Sequence, residues 1–278
     1  MKKALLTMVV ALMTMVSVSA QIPKRYDTEN LDMGLTLLEY GEQDEGLKYL
    51  EAELKKHPRN VCAYMLIALA EYDKKEYTDA LANINKVLNL LPKKEKEFMA
   101  VAYMSRAEVY LELNENDKAL GDLSKCIELQ PNSSDFYFAY IRRGEVYMLQ
   151  GDEEAAKADC RRVIEMDTVV NQYSVAMFAH QVLGEQDKAK EFMQRVIDNA
   201  PDNEDGYYDA ACLYAQMGEK EQALGYLRQA FEYGYHGFGH IERSRYLKPV
   251  RDMAEFKELF NEYKEKYQRA MEAEAKYF

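Results

Sequence analysis

The chain has no tryptophan, and only four histidines, four cysteines and six prolines among its 278 residues. Each scarcity removes a class of chemistry. Cys62, Cys126, Cys160 and Cys212 form no C-x-x-C pair and no zinc-finger spacing, which leaves neither a redox motif nor a structural metal knot. His236 and His240 stand four apart with Glu242 nearby, a spacing that could clasp a metal on a helix. Gly237 and Gly239 disfavour a helix through that stretch, so both read as loop histidines. His57 precedes Pro58 in a turn between helices, and His180 stands at a packing position. No G-x-S-x-G, phosphate-binding loop or dinucleotide fingerprint occurs. Basic residues are also in deficit, 36 against 48 acidic, giving a net charge of −12. That balance argues against nucleic acid, whose phosphates demand a basic stripe, and against anionic lipid surfaces. Beyond the first twenty residues no apolar run reaches the ~20 residues a membrane helix needs.

What is abundant is repetition. Gly34, Ala68, Ala107, Gly144, Met177 and Ala211 recur at intervals of 34, 39, 37, 33 and 34 residues. Twelve residues after each stands a second small position: Gly46, Ala80, Ala119, Ala156, Ala189 and Ala223. Twelve further on come Pro58, Pro92, Pro131, Thr168, Pro201 and Tyr235. Two antiparallel helices approach closely only where side chains are small, and proline ends a helix by removing a donor. The spacing therefore predicts six helix-turn-helix units over 27–60, 61–94, 100–133, 137–169, 170–203 and 204–237, as one array over 21–237. Lys93 to Met99 and Asn132 to Phe136 lengthen two of the intervals. Residues 238–278 follow as a loop and a capping helix from about Pro249, with Phe256, Leu259, Phe260, Tyr263 and Tyr267 on one stripe.

Three copies carry a fuller pattern: Tyr103-x2-Arg106-Ala107-x2-Tyr110, Tyr140-x2-Arg143-Gly144-x2-Tyr147 and Tyr207-x2-Ala210-Ala211-x2-Tyr214. Each is followed by the second small residue and an apolar residue four on: Ala119 and Leu123, Ala156 and Cys160, Ala223 and Leu227. The chain thus resembles the tetratricopeptide repeat family. The resemblance implies an all-α fold, a right-handed α-solenoid of about six helix-turn-helix repeats closed by a C-terminal capping helix. It also implies a non-enzymatic interaction protein that needs no cofactor and no metal.

Met1-Lys2-Lys3, the apolar stretch from Ala4 to Val18 and the small residues Val18-Ser19-Ala20 predict a secretory signal peptide over residues 1–20. An exported, periplasmic protein follows from that reading, secreted or outer-surface location being the alternative. No stable membrane insertion is expected after cleavage. Export to an oxidising compartment raises a Cys126–Cys160 bond between second helices of adjacent repeats; core packing of free thiols is the alternative.

By resemblance, the first helix of each repeat lines the concave face. The residues expected to form a partner-binding groove there are Leu35, Met65, Leu69, Tyr72, Met104, Glu108, Leu111, Ile141, Arg142, Glu145, Met148 and Phe178. They are mostly apolar and rich in Met and Leu, a composition that accepts varied apolar partners. A protein or peptide partner presenting an apolar or amphipathic segment is expected. The alternative, that this stripe is core, stays open because groove and core positions differ by one residue of phase. A glycan- or peptidoglycan-associated module is the second functional reading.

Overall fold

A computed structural model describes residues 28–39, 42–130, 136–170 and 173–275. The expected signal peptide lies outside the described residues. Within them the chain is helical: α1 (Glu29–Glu39), α2 (Gln43–Lys56), α3 (Val61–Asp73), α4 (Tyr77–Leu90), α5 (Lys96–Glu112), α6 (Asn116–Leu129), α7 (Tyr137–Gln150), α8 (Glu153–Val170), α9 (Ser174–Val182), α10 (Gln186–Asn199), α11 (Glu204–Gln216) and α12 (Lys220–Glu232). These pair consecutively into six helix-turn-helix units. After them come α13 (Phe238–Arg243), a 3-10 turn (Arg245–Leu247), α14 (Lys248–Arg251) and α15 (Ala254–Ala275). The chain divides into two compact units, Met1–Asp159 and Cys160–Phe278, with the boundary inside α8.

Close helix approach follows from the small residues. A Cβ added to Gly34 in α1 would stand 2.7 Å from two side-chain carbons of Leu50, and one added to Gly46 in α2 would stand 3.0 Å from the Gly34 carbonyl oxygen. Ala68, Ala80, Ala107, Ala119, Ala156, Ala189, Ala211 and Ala223 are all buried. Met177, the one large residue in the series, is buried too.

The turns inside repeats two to six share one geometry. Seven residues after the first small position the backbone turns left-handed, at Lys75 (φ 63°), Asn114 (58°), Gly151 (79°), Gly184 (72°) and Gly218 (79°). The next amide then donates back to the first helix, as Glu115 N–H does to Tyr110 O and Asp152 N–H to Tyr147 O. Glycine and asparagine suit that conformation; Lys75 adopts it against its own sterics.

Closing residues set helix length. Pro58, Pro92 and Pro201 each lie two residues beyond the end of a second helix. Where Thr168 replaces proline, α8 runs on to Val170 and spans 18 residues, against 14 for α2, α4, α6 and α10. The Lys93–Met99 insertion goes into a longer first helix: α5 has 17 residues and opens with exposed Lys96 and Glu97.

The C-terminal element departs from expectation at its start. Pro249 lies in the short α14, and the long helix opens only at Ala254. Phe256, Leu259 and Phe260 are buried while Tyr263 and Tyr267 are half-buried. Tyr263 stacks on Phe231 of α12 at 4.9 Å, and Phe260 meets Phe238 of α13 edge-on at 5.6 Å. Its remaining surface is charged, as a terminal element of a repeat array requires. All four cysteines are buried thiols, so the Cys126–Cys160 bond is not formed. Burial pushes the Cys126 thiol up to about 12.

Candidate partner-binding face

In Met1–Asp159 the first helices α1, α3, α5 and α7 carry nearly all the residues expected to form a groove. Most of them are core. Leu35, Met65, Leu69, Met104 and Ile141 are buried, and so is Phe178 in the second unit. The correction has a simple origin: these residues lie three before or one after the small crossing residue, where the helix faces its neighbours. Exposure begins one turn later, four and five residues after the crossing residue. There Tyr72 and Leu111 are half-buried, Met148 is 41% exposed and Leu149 72% exposed.

Polar members of the set form a compact network. Arg142 is buried and donates both to Glu108, through Nε and Nη2, and to Glu145, through Nη1. Its guanidinium therefore joins α7 to α5 and is not available to capture a carboxylate from outside. Glu112, at the exposed end of α5, receives the hydroxyls of Tyr72 (3.4 Å) and Tyr77 (3.5 Å) from the preceding repeat. Burial holds the Tyr72 phenol well above its ordinary range, and the nearby Glu108 and Glu112 charges reinforce this. Burial and the Glu112 charge raise Tyr77 in the same way. Both hydroxyls therefore remain donors at any physiological pH.

Two arginines outside the expected set join successive repeats. Arg106 forks onto Asp122 with two bonds of 2.7 Å and reaches Asn85 of the preceding repeat at 2.6 Å. Arg143 repeats the arrangement on Asp159, also at 2.7 Å, and on Ser124 at 3.0 Å. Each cation ties its own second helix to the previous one. Their signal in the sequence is an Arg just before the small residue, paired with an Asp sixteen positions later.

The second unit treats its first-helix face differently. The Tyr246 ring packs on Phe178 at 5.1 Å, and Gln216 Nε2 donates to the Tyr246 carbonyl at 2.8 Å. Ser244 Oγ lies 3.8 Å from Cys212 Sγ. Residues 244–250 thus lie over α9 and α11, with Tyr246, Leu247 and Val250 buried. On α11 itself, burial pushes the Asp209 carboxyl up to about 7, with the Asp205 charge reinforcing and a Ser174 hydrogen bond opposing the shift.

Three of the four histidines make side-chain packing contacts. His180 is buried and bonds Glu185 through Nδ1 at 2.7 Å, His240 bonds the Tyr235 hydroxyl at 2.6 Å, and His236 stacks on Tyr267. Among the described residues no cluster of three His, Cys, Asp or Glu could hold a metal ion, and no helix is long and apolar enough to cross a membrane.

Comparison with known proteins agrees with this architecture. The chain is similar in structure to a thermophilic repeat protein, TTC0263 from Thermus thermophilus (20% identity, 70% of this chain and 97% of that one, TM-score 0.50). It is also similar to the apo form of RapI (16%, 73% and 81%, TM-score 0.54). A repeat protein from Parabacteroides merdae aligns over 89% of this chain and 93% of its own at 18% identity, with a TM-score of 0.46. No curated protein matches in sequence. Tetratricopeptide repeat family profiles match residues 31–94, 100–133, 139–169, 172–203 and 204–233, well over half of the chain. The chain belongs to the tetratricopeptide repeat family.

Proposed function

We propose that this chain is a non-catalytic protein-interaction scaffold of the bacterial cell envelope, exported by its N-terminal segment. Its partner supplies an apolar or amphipathic segment, held along the last turns of α3, α5 and α7. Membership of a family of interaction repeats supports the general reading. The observation that carries the specific one is the row of incompletely buried apolar side chains at successive first-helix ends: Tyr72, Leu111 with Leu113, and Met148 with Leu149. Tyr72, Leu111 and Met148 occupy the same position in three successive repeats, four residues after the crossing residue, and exposed apolar side chains recurring in this way are a mark of binding surfaces.

The glycan reading gains no matching support. Several tyrosines that a sugar platform would need are engaged with one another: Tyr207 on Tyr233 at 4.7 Å, Tyr208 on Tyr235 at 4.6 Å and Tyr214 on Tyr226 at 5.2 Å.

The test is fractionation of cells expressing the full chain, followed by photocrosslinking from position 148 and, separately, from buried position 104. Recovery in the envelope fraction with a protein adduct only from position 148 supports the proposal. Cytoplasmic recovery sinks the envelope role, and equal adducts from both positions sink the surface assignment.

A further inference from the structure

The exposed apolar row is flanked by an excess of negative charge. Glu108 and Glu112 lie near Tyr72, and Arg142 bonds both Glu108 and Glu145, so one cation serves two carboxylates while Glu112 meets only tyrosine hydroxyls in the hydrogen bonds of this edge. Two lysines at this edge are engaged with other carboxylates, Lys74 with Asp44 at 2.7 Å and Lys118 with Glu115 at 2.6 Å; Lys75, exposed at the turn, is a single cation beside them. Glu112 is exposed, with the Tyr72 and Tyr77 hydroxyls 3.4 and 3.5 Å from its two oxygens. It is an accessible acceptor next in sequence to Leu111 and Leu113.

The second unit shows what this position in the repeat can do. Five residues after the crossing residue, repeat three has Glu112 and repeat six has Gln216. Gln216 already grips a chain segment lying on the first-helix face, donating to its Tyr246 carbonyl. That segment, Arg245-Tyr246-Leu247-Lys248-Pro249-Val250, sets the buried anchors Tyr246, Leu247 and Val250 beside the basic residues Arg245 and Lys248. A carboxylate in place of the amide can no longer donate; it accepts, from an amide N–H or from a cation.

We infer that the edge formed by Leu111, Glu112, Glu145 and Met148 docks a partner segment in which an aliphatic or aromatic side chain stands next to Lys or Arg. The apolar side chain covers Leu111 and Met148, and the cation meets Glu112. This inference rests on the scaffold reading above and specifies the partner's chemistry. Acidic segments are disfavoured by the same carboxylates, so the surface selects as well as attracts.

The experiment is selection of a phage-displayed random heptapeptide library on the full chain. Anisotropy titration of the most enriched labelled peptide then follows on the wild type, Glu112→Lys and Leu111→Asp/Met148→Asp. Glu112 is exposed and makes only two long bonds, so its substitution preserves the fold; circular dichroism checks the apolar pair. The expected result is enrichment of peptides with Lys or Arg beside an apolar residue. Affinity should fall about tenfold in Glu112→Lys and weaken with added salt, and binding should be lost in the apolar pair. Neutral or acidic peptides that ignore Glu112→Lys yet are lost in the apolar pair would overturn the inference and leave the docking surface standing. No enrichment, or binding indifferent to both sets, would overturn the docking surface as well.

Discussion

Asp209 makes the fold's dependence on pH a sharp test of the packing in the second unit. Its carboxyl lies on α11 beside Ser174 and Asp205, and burial pushes it up to about 7. An unfolded-state aspartate ionises near 3.8. Because the folded value is the higher one, the folded state holds its proton more tightly. That contribution is fully present below pH ~4, declines as pH rises from ~4 to ~7, and is absent above. A separation of about three pH units corresponds to ~4 kcal/mol at most; partial solvent access reduces the expectation to roughly 2 kcal/mol. Asp209→Asn keeps the shape and removes the ionisation. It should therefore raise stability by roughly 1–2 kcal/mol at pH 8 and leave it nearly unchanged at pH 4. Urea unfolding of the two proteins at pH 4, 5.5, 7 and 8 measures this directly. A difference independent of pH, or one largest at pH 4, would refute the burial argument for this carboxyl.

Other substitutions probe the array itself. Lys75→Gly relieves a left-handed backbone and should stabilise by about 1 kcal/mol in thermal or urea unfolding. Arg106→Met strands Asp122 without its bidentate partner and should destabilise by roughly 3 kcal/mol in the same assay, with Arg106→Met/Asp122→Leu recovering most of the loss. Gly34→Leu drives side-chain atoms into Leu50 and the Gly46 backbone, lowering the melting temperature by the equivalent of about 2–3 kcal/mol. The native cysteines should resist a thiol reagent at pH 8, since all four are buried, and react at once in denaturant.

Much of this architecture is written in small residues. Gly34 and Gly46 announce a close helix crossing because even an added Cβ would stand 2.7 and 3.0 Å from the facing helix, and Pro58, Pro92 and Pro201 mark helix ends because proline cannot continue one. The longer α8 is legible in Thr168, a closing position lacking proline. The phase of the groove is harder to read. Met65, Met104 and Ile141 are as apolar as Leu111 and Met148, and composition does not separate side chains facing a neighbouring helix from those one turn beyond. Lys75 gives no hint of a left-handed backbone, since only its place in the repeat imposes one. Nor does the sequence show Tyr246 on Phe178: that contact joins residues 68 apart through a segment with no repeat of its own.

The central claim, a protein scaffold that works through the exposed ends of its first helices, is tested most directly by affinity capture from an envelope extract. Wild type, the folded Leu111→Asp/Met148→Asp variant and Asp209→Asn as an unrelated control are compared by quantitative mass spectrometry. The expected result is a defined partner with the wild type and the control and its loss from the double variant. The same partner recovered equally with all three proteins would contradict it.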